Sequence, residues 1–112
     1  MKFASCRSLL ASVTAFAAVA LAPAAMAQDR DALMQRSLAA TCANCHGTNG
    51  QAVPGSSVVS LAGLKADYIV AQMKAFKSGA RPATIMHQLS KGYSDAQIEQ
   101  IAAYFAAQPS AK

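Results

Sequence analysis

Five consecutive residues, Cys42-Ala43-Asn44-Cys45-His46, carry the densest chemistry in this 112-residue chain. A cysteine thiol can add to a vinyl group and leave a thioether. Two cysteines with two residues between them match the separation of the two vinyl groups of a haem. The histidine that follows at once can bring an imidazole nitrogen to the iron. A spacing changed by one residue would misplace either the ring or the histidine. C-x-x-C-H is accordingly the attachment sequence of haem c.

Two other chemistries use similar residues. A thioredoxin-like redox pair shares C-x-x-C but needs a strand–helix–strand setting, and strand signals are nearly absent here. A zinc site needs two more ligands. His87 is the only other histidine, and Cys6, the third cysteine, lies in a segment expected to be removed.

A six-coordinate iron needs a second axial ligand. Met34 precedes the motif on its own helix and reads as core. Met73 lies on an apolar helix stripe, where methionine usually packs. Met86 stands 40 residues beyond His46, in a short segment before the last helix, where a loop can cross the far face of the haem. Met86 is the favoured reading; Met73 and His87 stay open. A thioether favours ferrous iron, so His/Met ligation raises the potential relative to bis-histidine.

The elements that must position these residues are helices. One is expected from about Asp29 to Ala40, with Leu33, Met34, Leu38 and Thr41 approximating an apolar stripe. A second is expected over Asp67 to Lys77, with Asp67 as N-cap, Gly79 as stop, and Ile69, Met73 and Phe76 on one face. The third runs from Ser94 to about Gln108. Ser94 and Gln97 form a capping box, Ile98, Ile101, Ala102 and Phe105 make the buried stripe, and Pro109 ends it. A short helical turn fits Ala83 to Ser90, closed by Gly92. Residues 47–63 hold four glycines and one proline and read as loop, with Val58, Val59 and Leu61 turned inward.

The beginning of the chain differs from the rest. Lys2 and Arg7 give a basic start, Leu9 to Ala22 is almost wholly apolar, and Ala25-Met26-Ala27 offers small residues for cleavage. This is the pattern of a secretory signal peptide over residues 1–27, leaving a domain of residues 28–112. The apolar run is short for a membrane span, so no stable insertion is expected after cleavage. Export places the domain in the periplasm, where haem attachment of this kind occurs.

Loss of Lys2 and Arg7 lowers the net charge from +5 to +3. No cluster of Lys and Arg with interleaved aromatics is present, which argues against nucleic acid. Lys65, Lys74, Lys77, Arg81 and Lys91 can steer docking to acidic partners or merely solvate the surface. A domain this small buries a modest apolar area, and a buried prosthetic group would supply the missing core. Nothing resembles a catalytic triad, a paired acid and base or a phosphate loop; Asp95 and Glu99 read as an exposed helix face.

With these residues in view, "CANCHGTNG", "SLAGL" and "YIVAQMKAFKSGARPATIMHQLSKGYSDAQIEQIAAYFAAQ" resemble class I cytochromes c of the c4/c5 type. The stretch "RPATIMHQLSKGYSDAQI" looks more narrowly like the monohaem cytochrome subunit of flavocytochrome c sulfide dehydrogenase. The resemblance covers residues 36–108. It implies an all-α fold of three main helices around one covalent haem c, with the N- and C-terminal helices crossing near Leu38 and Phe105. It also implies thioethers at Cys42 and Cys45, His46 as proximal ligand and Met86 as distal ligand.

The implied role is single-electron transfer, non-catalytic by itself. In one form the chain accepts electrons from a sulfide-oxidising flavoprotein subunit. In the alternative it shuttles freely between redox proteins such as soluble cytochromes or oxidases. One departure stands out. Relatives carry Gly-Pro in the loop after the motif, and the proline carbonyl accepts the N–H of the proximal histidine. Here the order is Pro54-Gly55-Ser56, so a shifted carbonyl must orient His46, and the sequence does not name it.

Overall fold

The computed structural model describes residues 22–110. The basic start and most of the apolar run of the predicted leader lie outside the described residues. The chain divides into two compact units, Met1–Leu33 and Met34–Lys112. The described part of the first is the opening of one helix.

No strand occurs among the described residues. The helices are α1 (Ala22–Ala40), α2 (Ala43–His46), α3 (Ala66–Ser78), α4 (Met86–Leu89) and α5 (Asp95–Ala106). Tight 3-10 turns follow α2 at Thr48–Gly50 and α4 at Ser90–Gly92. No described helix is long and apolar enough to cross a membrane.

The core of the second unit is built on α3 and α5, which pack against each other. Ile98, Ile101, Ala102 and Phe105 are buried, as the stripe predicts. Each large apolar side chain so buried contributes roughly 1.5–3 kcal/mol. The capping box forms. Gln97 N–H donates to Ser94 Oγ at 3.2 Å, and Ser94 N–H donates to Gln97 Oε1 at 2.9 Å.

On α3, Ile69 and Met73 are buried. Phe76 is half-buried, with the Arg81 guanidinium 4.6 Å above its ring. The helix begins one residue earlier than expected, with Lys65 as N-cap. Asp67 therefore sits inside the first turn, where its charge favours the helix dipole, and does not cap. Gly79 ends the helix in the left-handed conformation as expected (φ 81°).

The largest differences from the sequence reading are on α1. The helix starts at Ala22, upstream of Asp29 and across the predicted cleavage point. Leu33 and Met34 are 65% and 53% exposed, so neither is core. Ala39 on this helix is buried in the core, with Leu38 partly buried and packed against it. At 3.6 residues per turn, Leu33 and Met34 lie about 120–140° around the axis from Ala39. Thr41 is no member of an apolar face. Its hydroxyl donates to Leu38 O at 2.7 Å and closes the end of the helix.

The loop after the motif is held by hydrogen bonds and by close packing. Leu61 and Ala62 both donate to Gly50 O, at 2.8 and 3.1 Å. Gly63 N–H donates to Phe105 O at 2.9 Å. Gly50 is buried at φ 76°, and a Cβ there would stand 2.7 Å from Phe105 Cδ1. Only glycine fits both the conformation and the space.

Candidate haem-attachment site

The motif folds into a single helical turn that periodicity did not reveal. Cys42 precedes α2 with helical backbone angles (φ −86°, ψ −14°). Its carbonyl accepts from Cys45 N–H at 3.3 Å and from His46 N–H at 3.0 Å. Residues at i, i+3 and i+4 share a face, so one turn presents both thiols and the imidazole to the same side.

Both cysteines are free thiols; Cys42 is half-buried and Cys45 exposed. Burial pushes the Cys42 thiol above its ordinary value, and the nearby Cys45 adds to the rise. The elements around the motif are all helical among the described residues, which argues against the strand–helix–strand setting of a thioredoxin-like pair. Among the described residues no three His, Cys, Asp or Glu side chains gather into a metal-binding group.

His46 is half-buried, and its Nδ1 lies 2.7 Å from the Val59 carbonyl. A carbonyl only accepts, so Nδ1 carries the proton in this bond. The neutral ring then keeps its lone pair on Nε2, the state a metal-ligating imidazole needs. This is the shifted carbonyl implied by the Pro54-Gly55 order. It comes from a residue 13 positions past His46.

The chain just after this carbonyl is tied down. Ser60 Oγ accepts from Ala52 N–H at 2.8 Å, and the next two residues bond to Gly50. Val58 and Leu61 are partly buried, as expected. The expectation that Val59 turns inward fails for its side chain, which is 62% exposed. Its carbonyl does the inward work.

Met86 opens α4. It is half-buried and packs against the edge of the same core cluster as Cys42. Met73 belongs to the buried cluster itself, and Met34 stands exposed on α1. His87 is partly buried, and its Nδ1 has no hydrogen-bond partner. Ser90, fully buried, also has a side-chain oxygen without one. These two atoms, one turn apart, show polar needs that the surrounding polypeptide does not meet.

Sequence reasoning missed two side chains at this site. Tyr93 O–H reaches Thr41 Oγ1 at 2.6 Å, next to Cys42. A polar residue directly before the motif was the one signal available. A shallow cleft of about 180 Å³ also borders the motif turn, lined by Arg36, Ala39, Ala43, Asn49 and Tyr104 among others. None of Cys42, Cys45, His46 or Met86 lines it.

The family model for cytochrome c matches residues 32–108. The chain belongs to the cytochrome c family. This cytochrome c is 40% identical over 68 residues to the cytochrome subunit of sulfide dehydrogenase of Chlorobaculum tepidum, covering 61% of this chain and 60% of that protein. It is 38% identical over 71 residues to cytochrome c-554(548) of Halomonas halodenitrificans, covering 61% and 84%. Among solved structures it resembles a cytochrome c4 chain of Acidithiobacillus ferrooxidans, with a TM-score of 0.56 and 36% identity. That match covers 59% of this chain and 37% of the other. The chain thus spans less than two thirds of the sulfide dehydrogenase subunit and of the cytochrome c4. Family membership brings covalent haem and electron transfer as the general chemistry.

The residues of this cytochrome c fit that group. Two free thiols and an imidazole with Nε2 available share one turn. A thioether stands at the edge of the core that Cys42 also touches. Exposed apolar side chains accompany the donors: Val59 beside the His46 partner, and Ile85 and Leu89 around Met86. They suit contact with an apolar macrocycle.

Proposed function

We propose that this chain is an exported cytochrome carrying one haem, and that it passes single electrons in the periplasm. Cys42 and Cys45 form the thioethers, His46 is the proximal ligand and Met86 the distal one. The observation that carries this reading is the 2.7 Å bond from His46 Nδ1–H to Val59 O on the turn that bears both thiols. It fixes the tautomer and orients the ring.

The haem supplies an iron that cycles between ferrous and ferric states. The protein's part is to hold the ligands still in both states, so that little reorganises when an electron arrives or leaves. His46 is held by a main-chain carbonyl that does not titrate. Met86 offers a neutral sulfur, which favours the reduced state. Met86 and Cys42 both pack against the α3/α5 core, which ties the two donors to one rigid support.

The test is direct. Intact-mass measurement of the exported protein, from a host competent in haem attachment, should give the polypeptide plus one haem. A bare polypeptide mass would sink the reading. The weak red absorption band of an iron–thioether bond should be present and should vanish in Met86→Ala. Its survival there would move the ligand to Met73; its absence from the wild type would favour His87.

The partner we favour is a flavoprotein that oxidises sulfide, with this chain as its non-catalytic electron-accepting subunit. The similarity to the sulfide dehydrogenase subunit supports it. Affinity capture at native expression should recover a flavoprotein; recovery of the cytochrome alone would count against it. The second reading is a freely diffusing carrier, supported by the match that covers 84% of cytochrome c-554(548). Lys65 and Lys91 are exposed, whereas Lys74 and Lys77 pair with Asp95. Steering by such charges would make transfer rates fall as salt rises.

A further inference from the structure

The segment that carries Met86 is anchored at both ends. At its entry, Arg81 N–H donates to Ala75 O at 3.0 Å, and the Arg81 guanidinium bonds to Gln72 and covers Phe76. At its exit stands Tyr93. Its carbonyl accepts from Lys77 Nζ at 2.8 Å, and Lys77 is paired in turn with Asp95. Its ring packs against the core. Its hydroxyl lies 2.6 Å from Thr41 Oγ1.

The direction of that last bond follows from the one proton each hydroxyl has. Thr41 gives its proton to Leu38 O at 2.7 Å. Tyr93 must therefore donate and Thr41 accept. Thr41 is bonded to Cys42 in sequence and lies 3.8 Å from its sulfur. One hydrogen bond thus joins the end of the distal segment to the residue that opens the attachment motif.

We propose that the Tyr93–Thr41 bond is a clamp that positions Met86 on the iron, so that both are positioning residues outside the ligand set. The proposal rests on Met86 being the distal ligand. A thioether binds ferric iron weakly, so an added imidazole competes with it. For imidazole to enter, sulfur leaves the iron and the segment moves away; no electron changes place. Whatever holds the segment down opposes that exchange. Loss of the clamp therefore raises the apparent affinity for imidazole, roughly fivefold for one hydrogen bond of ordinary strength.

The experiment is an imidazole titration of the ferric holoprotein, read by loss of the iron–thioether band. Four variants accompany the wild type: Tyr93→Phe, Thr41→Val, Thr41→Ser and the double variant Tyr93→Phe/Thr41→Val. Tyr93→Phe keeps the ring and the main-chain bond to Lys77, and removes only the hydroxyl. It and Thr41→Val should bind imidazole about fivefold more tightly, and the double variant no more tightly than that. Thr41→Ser keeps the acceptor and should behave as wild type. A purely structural role would lower the global unfolding midpoint and leave the imidazole affinity where it was. Unchanged affinity in Tyr93→Phe, with the band intact in the wild type, overturns the clamp alone. Absence of the band from the wild type, or its survival in Met86→Ala, overturns the ligand assignment and the clamp with it.

Discussion

The two sides of the candidate site are built differently. On the proximal side, one helical turn places Cys42, Cys45 and His46, and the Val59 carbonyl fixes the ring. The supporting loop is tied to Gly50 and, through Gly63, to Phe105 at the centre of the core. On the distal side, Met86 opens a four-residue helix flanked by exposed Ile85 and Leu89, with two unsatisfied polar atoms beside it. Its anchors are Arg81, whose N–H bonds to Ala75 O and whose guanidinium covers Phe76, and Tyr93, held by its carbonyl and its hydroxyl. The proposed proximal ligand is thus held by main chain braced against core, and the proposed distal ligand by a short segment tied down at its two ends. Exchange at the iron should therefore begin on the methionine side.

The largest effect is expected from removing the proximal donors. Cys42→Ala combined with Cys45→Ala should abolish covalent attachment. The mass of the denatured protein would then fall to that of the polypeptide. Retained covalent haem would break the comparison at its base.

Next comes the brace. Phe105→Ala removes the ring that Gly50 packs against and should cost about 3–5 kcal/mol in denaturant unfolding. If the proximal frame depends on that ring, the amides of Leu61 and Ala62 should lose hydrogen-exchange protection along with the core. Protection that survives would show that the loop stands by itself.

A smaller loss is expected at the exit of the distal segment. Ser94→Ala deletes the capping box of α5 and should cost about 1 kcal/mol, read by the same unfolding assay.

The smallest concerns Asp95. Its carboxyl is held below its ordinary value of 3.8 by the hydrogen bond from Lys77, then by the charges of Lys77 and Lys74. A lowered folded value means that ionised Asp95 stabilises the fold. That contribution is present above the ordinary carboxylate range and disappears as pH falls through the lowered value. Wild type should thus exceed Asp95→Asn slightly in stability at neutral pH, and the gap should close in acid. A gap independent of pH would assign it to something other than charge. Asp95 is exposed, so salt should shrink it too.

Much of this was legible in the sequence because it is local. The motif spacing is a statement about five residues, and one helical turn converts it into a shared face. The stripe of Ile98, Ile101, Ala102 and Phe105, the Ser94–Gln97 cap and the Gly79 stop depend on neighbours three or four residues away. Each appears where the pattern placed it. The first helix was read less well because its apolar residues do not repeat on one face. The approximate stripe of Leu33, Met34, Leu38 and Thr41 is not the buried face: Leu33 and Met34 are exposed, and Ala39 meets the core.

Tertiary structure alone decided the carbonyl that holds His46. A main-chain oxygen 13 residues downstream has no side-chain signature. Its position depends on a loop path set by Gly50, Ser60 and Phe105. The same holds for Tyr93 and Thr41, which lie 52 residues apart and meet only in the folded chain. Sequence by itself determined which atoms can do the chemistry, because donor identity and short spacing are covalent facts. Folding decided how firmly each donor is held, because that depends on partners distant along the chain.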